Sequence, residues 1–274
     1  MKNFDMTRFG RVLKLDFVEG YKSMLWGVLC MTLLYLFFFW FAHNISFHDQ
    51  MYYMIQDTEA RMMVYISSLC EAVGAFGIMA MLIFFLIAAS TLFRSEQKKQ
   101  KRIAWLMLPA SNLEKFLSRW VFLLVFSVVG GILPFFIADL IHMTYLSTTD
   151  YPVMFATDDF FSFMPYIKYP SQTWLSVTMQ YMFIIAMHAF YLLGGVFFKK
   201  FHFIAVSAVM VFVLAAVIST ANVIGLGSTI YAAGYDTYCT FMIVILTCLA
   251  VLFTWLSYWL FCRWQVITHK FVNL

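Results

Sequence analysis

RSEQKKQKRIAWLMLPASNLEKFLSRW, residues 94–120, is the stretch whose reading decides the fold. It is the one long, strongly charged segment between apolar runs. Of the 18 Lys and Arg in the chain it holds seven: Arg94, Lys98, Lys99, Lys101, Arg102, Lys115 and Arg119. The apolar runs on both sides are far longer than a soluble core strand, so the basic residues set which side of a membrane the segment faces. Its second half, IAWLMLPASNLEKFL, reads as a turn followed by a short amphipathic helix. That pattern is expected of a surface that docks something in the cytoplasm.

Composition supports a membrane setting. Of 274 residues, 63% are hydrophobic, 20% aromatic and only 12% charged. A soluble domain carries about 25% charged residues and cannot hide this much apolar surface. The mean hydropathy of +0.83 agrees. A span needs about 20 apolar residues, so the reading is an all-α, polytopic membrane protein with six transmembrane helices. The expected spans are 24–41, 72–93, 120–140, 174–198, 201–225 and 238–261. Residues 1–23 precede them as an interfacial amphipathic helix: Phe9, Val12, Leu13, Phe17 and Tyr21 share helical spacing, while Arg8, Arg11, Lys14 and Lys22 fall elsewhere. The alternative is a merely basic, positive-inside tail. The six-helix domain is expected to fill 24–274, with 94–119 as its cytoplasmic coupling loop.

Charge then orients the spans. Residues 1–23, the basic segment, Lys199-Lys200 and the tail with Arg263 and Lys270 hold sixteen of the 18 Lys and Arg. Arg61 and Lys168 are the other two. The positive-inside rule puts both termini and the basic segment in the cytoplasm. Nine of the 14 acids fall on the opposite side. Most tryptophans lie near span ends, where aromatic belts form. Pro134 should kink the third span and leave a carbonyl that needs a partner inside the bundle. Ser127 and Gly131, like Ala215 and Ser219, have the spacing that lets helices approach closely.

No reactive constellation appears. There is no HExxH, GxSxG or GxxxxGK[ST], so the chain has no ATP-binding loop of its own and is read as no enzyme, with no cofactor, metal or nucleic-acid partner. His43, His48 and Asp49 are a conceivable metal set without diagnostic spacing. Cys70 and Cys239 are a conceivable disulfide. Three groups mark a possible intramembrane polar site. Asp139 either reaches headgroups or handles substrate or protons. His142, about one turn on, is placed to pair with it. His188, in the middle of the fourth span, is either a neutral histidine bonded across helices or part of a transport path.

The elbow of the basic segment has local logic. Pro109 cannot continue a helix from 102–108. Ser111 is a good N-cap, and Glu114 completes an S-x-x-E capping box, so a helix restarts near Asn112. Ile103, Trp105, Leu106 and Leu108 are too apolar for free solution and need either a membrane surface with anionic lipid or a protein partner.

With these features the chain resembles the membrane subunits of type-2 ABC exporters, which have six spans and a separate ATPase. The resemblance rests on the interfacial helix, the loop between spans two and three, and the run LMLPASNLEKFLSRW. Leu106, Leu108, Pro109, Ala110, Ser111 and Lys115 match a pattern of leucines, Pro-x-Ser/Ala and a Lys before the next span. The larger outer loops here follow spans one and three, not the fifth span. The resemblance implies a pair of permease subunits, identical or not, in a bacterial cytoplasmic membrane. Each would dock an ABC-type ATPase through Leu106, Leu108, Pro109, Ala110, Ser111, Asn112, Glu114 and Lys115. The alternative is a non-transport membrane protein, an assembly factor, immunity protein or sensor, whose basic loop binds lipid or another protein.

Overall fold

The computed structural model describes residues 4–44, 58–93, 99–149, 151–162, 174–198, 200–224 and 234–263. These residues form eight helices: α1 (Met6–Asn44), α2 (Thr58–Thr91), α3 (Lys99–Met107), α4 (Asn112–Leu146), α5 (Ala156–Ser162), α6 (Trp174–Phe197), α7 (His202–Ile224) and α8 (Tyr235–Cys262). Five of them, α1, α2, α4, α6 and α8, are long and apolar enough to cross a membrane. The chain is therefore an all-helical, polytopic membrane protein. In α7 the apolar stretch runs over His202–Val213 among the described residues.

Four helices, α1, α2, α4 and α8, overrun the expected spans, whereas α6 and α7 keep within theirs. From Met6 onward the interfacial segment and the first span are one 39-residue helix, Met6–Asn44, with no break at residue 23. α2 begins at Thr58, well inside the region read as an outer loop. Its early turns carry a buried stripe at Ile66, Leu69, Cys70 and Val73, so packing extends the helix through Glu59, Arg61 and Glu71. α4 likewise starts at Asn112 and ends at Leu146, with Pro134 inside it.

The chain divides into two compact units. One comprises Glu19–Phe84 and Leu124–Pro170. Its core is aromatic: Tyr35 lies edge-on to Phe135 at 5.2 Å, and Phe135 stacks on Phe160 at 4.3 Å. The Tyr35 hydroxyl points at the carbonyls of Gly77 and Gly131, 3.4 and 3.5 Å away. Lipid tails are as apolar as these side chains, so close packing and hydrogen bonds hold such helices together more than water exclusion does. Gly74 shows how tight the packing is. A Cβ there would sit 2.8 Å from the backbone nitrogen of Phe160. Away from this core, Leu25, Leu29, Leu33, Phe37 and Trp40 form an exposed stripe along α1. Such a stripe suits a lipid-facing surface.

The other unit comprises Met1–Val18, Phe85–Leu123 and Ser171–Leu274. α6 packs along α8 here, and Phe190 meets Phe253 at 5.2 Å. Phe93, Phe116, Tyr258 and Phe261 form a ring cluster that joins the end of α2, the start of α4 and the end of α8. Gly194 and Gly195 remove side chains where α6 approaches Val206 of α7 and the Ser90 carbonyl of α2. The turn into α7 includes Phe201 in the left-handed region at φ 54°, a strained conformation for a bulky residue. Cys70 and Cys239, weighed as a disulfide, are both buried free thiols.

Candidate functional site

The elbow forms as the local rules require. After α3 the chain turns through Leu108 and Ala110, whose amides donate to the carbonyls of Trp105 (3.3 Å) and Leu108 (2.8 Å). α4 then starts with a reciprocal capping box. Ser111 Oγ accepts the Glu114 N–H at 3.2 Å, and Glu114 Oε2 accepts the Ser111 N–H at 2.8 Å. Each bond satisfies an amide that a helix start leaves without a helical partner.

Glu114 does more than cap. Its Oε1 accepts the Asp5 backbone N–H at 2.8 Å and Arg8 Nη2 at 3.2 Å. Its side chain is fully buried. A second tie lies further along the same two helices. Asp16 Oδ1 stands 3.2 Å from Arg119 Nε, with both side chains buried. The Arg119 guanidinium also lies over the Trp105 ring at 4.4 Å, a cation–π arrangement. Phe17 meets Phe122 edge-on at 5.2 Å. The beginning of α1 is thus strapped along the elbow and the start of α4 by two charge pairs and an aromatic contact.

The electrostatics follow from this geometry. Residues 112–119 precede the apolar run that begins at Trp120. Burial pushes the Glu114 carboxyl up, but the N–H groups of Ser111 and Asp5, with Arg8 and the Ser111 hydroxyl, hold it below the ordinary glutamate value. Burial lowers Lys115, partly offset by neighbouring Glu114. A carboxyl lowered on folding stabilises the fold above its unfolded pKa, and that contribution is lost as pH falls through the folded value. The strap should therefore hold from neutral pH down to about 4.5, the ordinary glutamate value. Below that, amide exchange in residues 5–12 should rise before exchange in α6 and α8. Hydrogen exchange across a pH series reads this directly, with intrinsic rates corrected at each pH.

The expected docking residues divide into two groups. Glu114 and Lys115 face inward and build the elbow itself, with Lys115 Nζ donating to the Leu106 carbonyl at 3.1 Å. Pro109 and Asn112 are exposed, and Leu106, Leu108, Ala110 and Ser111 are partly so. Beside them the elbow displays Ile103, Met107 and Leu113, at 40%, 79% and 41% exposure. Of the topology-setting residues, Lys101 is exposed, whereas Arg102 is buried at 1% exposure. Arg94, Lys98 and the Lys99 side chain lie outside the described residues.

Asp5, Arg8, Asp16 and Arg119 were not legible as a group. One signal was present: Asp16 falls one turn after Val12 on the face that is buried. An acid there needs a buried cation.

The remaining polar residues have different partners from those expected. Asp139 does not meet His142. Its carboxylate accepts the N–H of Ala156 (3.2 Å), the N–H of Thr157 (2.9 Å) and the Thr157 hydroxyl (2.6 Å), which caps α5. A carboxylate bonded this fully is a structural anchor. Asp139→Ala should release α5, cost about 1–3 kcal/mol, and show as faster exchange over residues 156–162. His142 pairs instead with His43, Nε2 to Nε2 at 3.0 Å, and stacks on Phe39. Tyr65 donates its hydroxyl to the His43 carbonyl at 3.2 Å. His48 and Asp49, weighed with His43 as metal ligands, lie outside the described residues, and no cluster of three metal-binding side chains occurs among the described residues. His188 is buried against Phe85, with ring centroids 4.1 Å apart, and neither ring nitrogen has a hydrogen-bond partner among the described residues. The cross-helix bond expected for it is not present there.

Comparison with protein-family models, curated proteins and solved structures gives no match.

Proposed function

We propose that the chain is the permease subunit of an ABC-type exporter. In this reading it has six spans, α7 being the fifth in chain order and added to α1, α2, α4, α6 and α8, and both termini lie in the cytoplasm of a bacterial inner membrane. At 1.5 Å per residue, the 23 residues of α7 extend about 34 Å, enough to cross a core about 30 Å thick. Two such subunits pair, and each docks a separate ATPase on the elbow between α3 and α4.

The observation that carries the proposal is the construction of the elbow. It exposes the apolar side chains of Ile103, Met107 and Leu113, while its inner face is pinned by Glu114 to the start of α1 and by Arg119 to Asp16. A push on Ile103, Met107 and Leu113 is then borne by two membrane helices together, α1 and α4. A loose loop would absorb the same push as local motion. Work from the partner thus becomes a tilt of spans.

The test is to purify the tagged chain from its native membrane and measure the P-loop ATPase that comes with it. Leu108→Asp and Pro109→Asp should each reduce the associated ATP hydrolysis at least tenfold while leaving membrane insertion unchanged. Equal loss of insertion and hydrolysis would count against a docking role.

A second reading has one observation in its favour. Lys101, Ile103 and Met107 are all exposed on α3, a mixture of basic and apolar side chains that also suits a surface resting on anionic lipid.

A further inference from the structure

Where α6, α7 and α8 meet there is a groove of about 380 Å³. Gly194, Phe197 and Phe198 form one wall, Val206 and Val209 a second, and Leu256, Trp259 and Leu260 a third. Among the described residues, no polar side-chain surface lines it. The absence of a side chain at Gly194 helps to keep it open, because a Cβ there would run into Val206.

Among the described residues, two cations stand at one end of this groove. Lys200 lies in the turn between the α6 and α7 walls and is exposed. Arg263 follows the α8 wall by one turn and is also exposed, with its guanidinium 3.7 Å from the centre of the Trp259 ring. Stacking fixes the plane of the guanidinium and leaves its N–H edge for a ligand. That edge matches phosphate oxygens, which it binds in pairs.

We infer that the groove holds one acyl chain of an anionic glycerophospholipid whose phosphate is bound by Arg263 and Lys200. Charge complementarity selects this occupant: an apolar slot that ends at two cations matches a molecule with an apolar tail and an anionic head. Basic pockets between membrane helices are known to take such headgroups. The inference stands apart from any ATPase partner.

The test uses the full chain in nanodiscs of equal phosphatidylglycerol and phosphatidylcholine. Each lipid is introduced in turn as a spin-labelled probe, and the immobilised fraction is read by electron paramagnetic resonance. Wild type should immobilise the phosphatidylglycerol probe several-fold more than the phosphatidylcholine probe. The Lys200→Gln/Arg263→Gln variant should bring the two to parity, and Val209→Trp should reduce both immobilised fractions. All three positions are exposed, so the fold should tolerate the changes, and circular dichroism checks that it does. Parity in wild type would overturn the inference. So would a preference that survives in the double variant, an immobilised fraction unchanged by Val209→Trp, or chain-to-chain crosslinks from a photoreactive residue at 209, which would assign the groove to a second copy.

Discussion

Replacing Glu114 with alanine is expected to lower the unfolding free energy by about 3–5 kcal/mol, the range seen when one member of a buried charge pair is removed. The reason is what the change strands. The N–H groups of Ser111 and Asp5 lose their acceptor, and Arg8 loses its partner at 3.2 Å. Arg8 is itself about a quarter exposed, so water recovers part of its loss and the result should fall toward the lower end. Ser111→Ala removes only the hydroxyl half of the capping box and should cost about 1 kcal/mol. Denaturation of the purified protein in mild detergent measures both. If the elbow is the lever proposed, Glu114→Ala should also uncouple it. Any ATPase that still binds should hydrolyse ATP without driving transport, because α1 and α4 no longer move as one. A Glu114→Ala protein as stable as wild type would mean that the strap to α1 contributes nothing.

Gly195→Ala should be nearly as damaging, although it adds a single methyl group. Its Cβ would lie 2.5 Å from the Ser90 carbonyl oxygen and 3.1 Å from that of Ala89. Both obstacles are backbone atoms of α2, so no side chain can swing aside and the helices must separate. Overpacking of this kind costs typically 1–3 kcal/mol and occasionally more; a clash with backbone belongs at the upper end. Gly10→Ala is the control. A Cβ at Gly10 meets nothing within 4 Å, and the exchange should be neutral or stabilising by up to about 1 kcal/mol through helix propensity alone. Gly131→Ala falls between the two, because its obstacle is the flexible Met81 side chain. The same denaturation assay should rank the three as Gly195, Gly131, Gly10 in order of damage.

The sequence carried the helices and the elbow cap because both depend on near neighbours. Apolar runs of span length declare themselves, and Ser111 lies three residues from Glu114. Helix ends were less legible: polar residues such as Glu59 and Arg61 looked like loop, but the stripe at Ile66, Leu69 and Val73 holds them in α2. Least legible were the long-range partners. Glu114 reaches back 109 residues to Asp5, and His43 crosses 99 residues to His142. A single sequence gives no reason to join those pairs over others. Asp139 shows the same gap. Its cost inside a helix was visible, but its partners at Ala156 and Thr157 depend on a short helix in a region read as loop.

The most direct test of the account is a photocrosslink from the elbow. A benzophenone side chain placed at Met107, which is 79% exposed, is irradiated in membranes of the native host, and the adducts are identified by mass. The account predicts one dominant adduct with a nucleotide-binding chain, lost in Pro109→Asp and formed only at the cytoplasmic face. Adducts with lipid alone, or a residue 107 that a membrane-impermeant reagent reaches from outside intact cells, would contradict it.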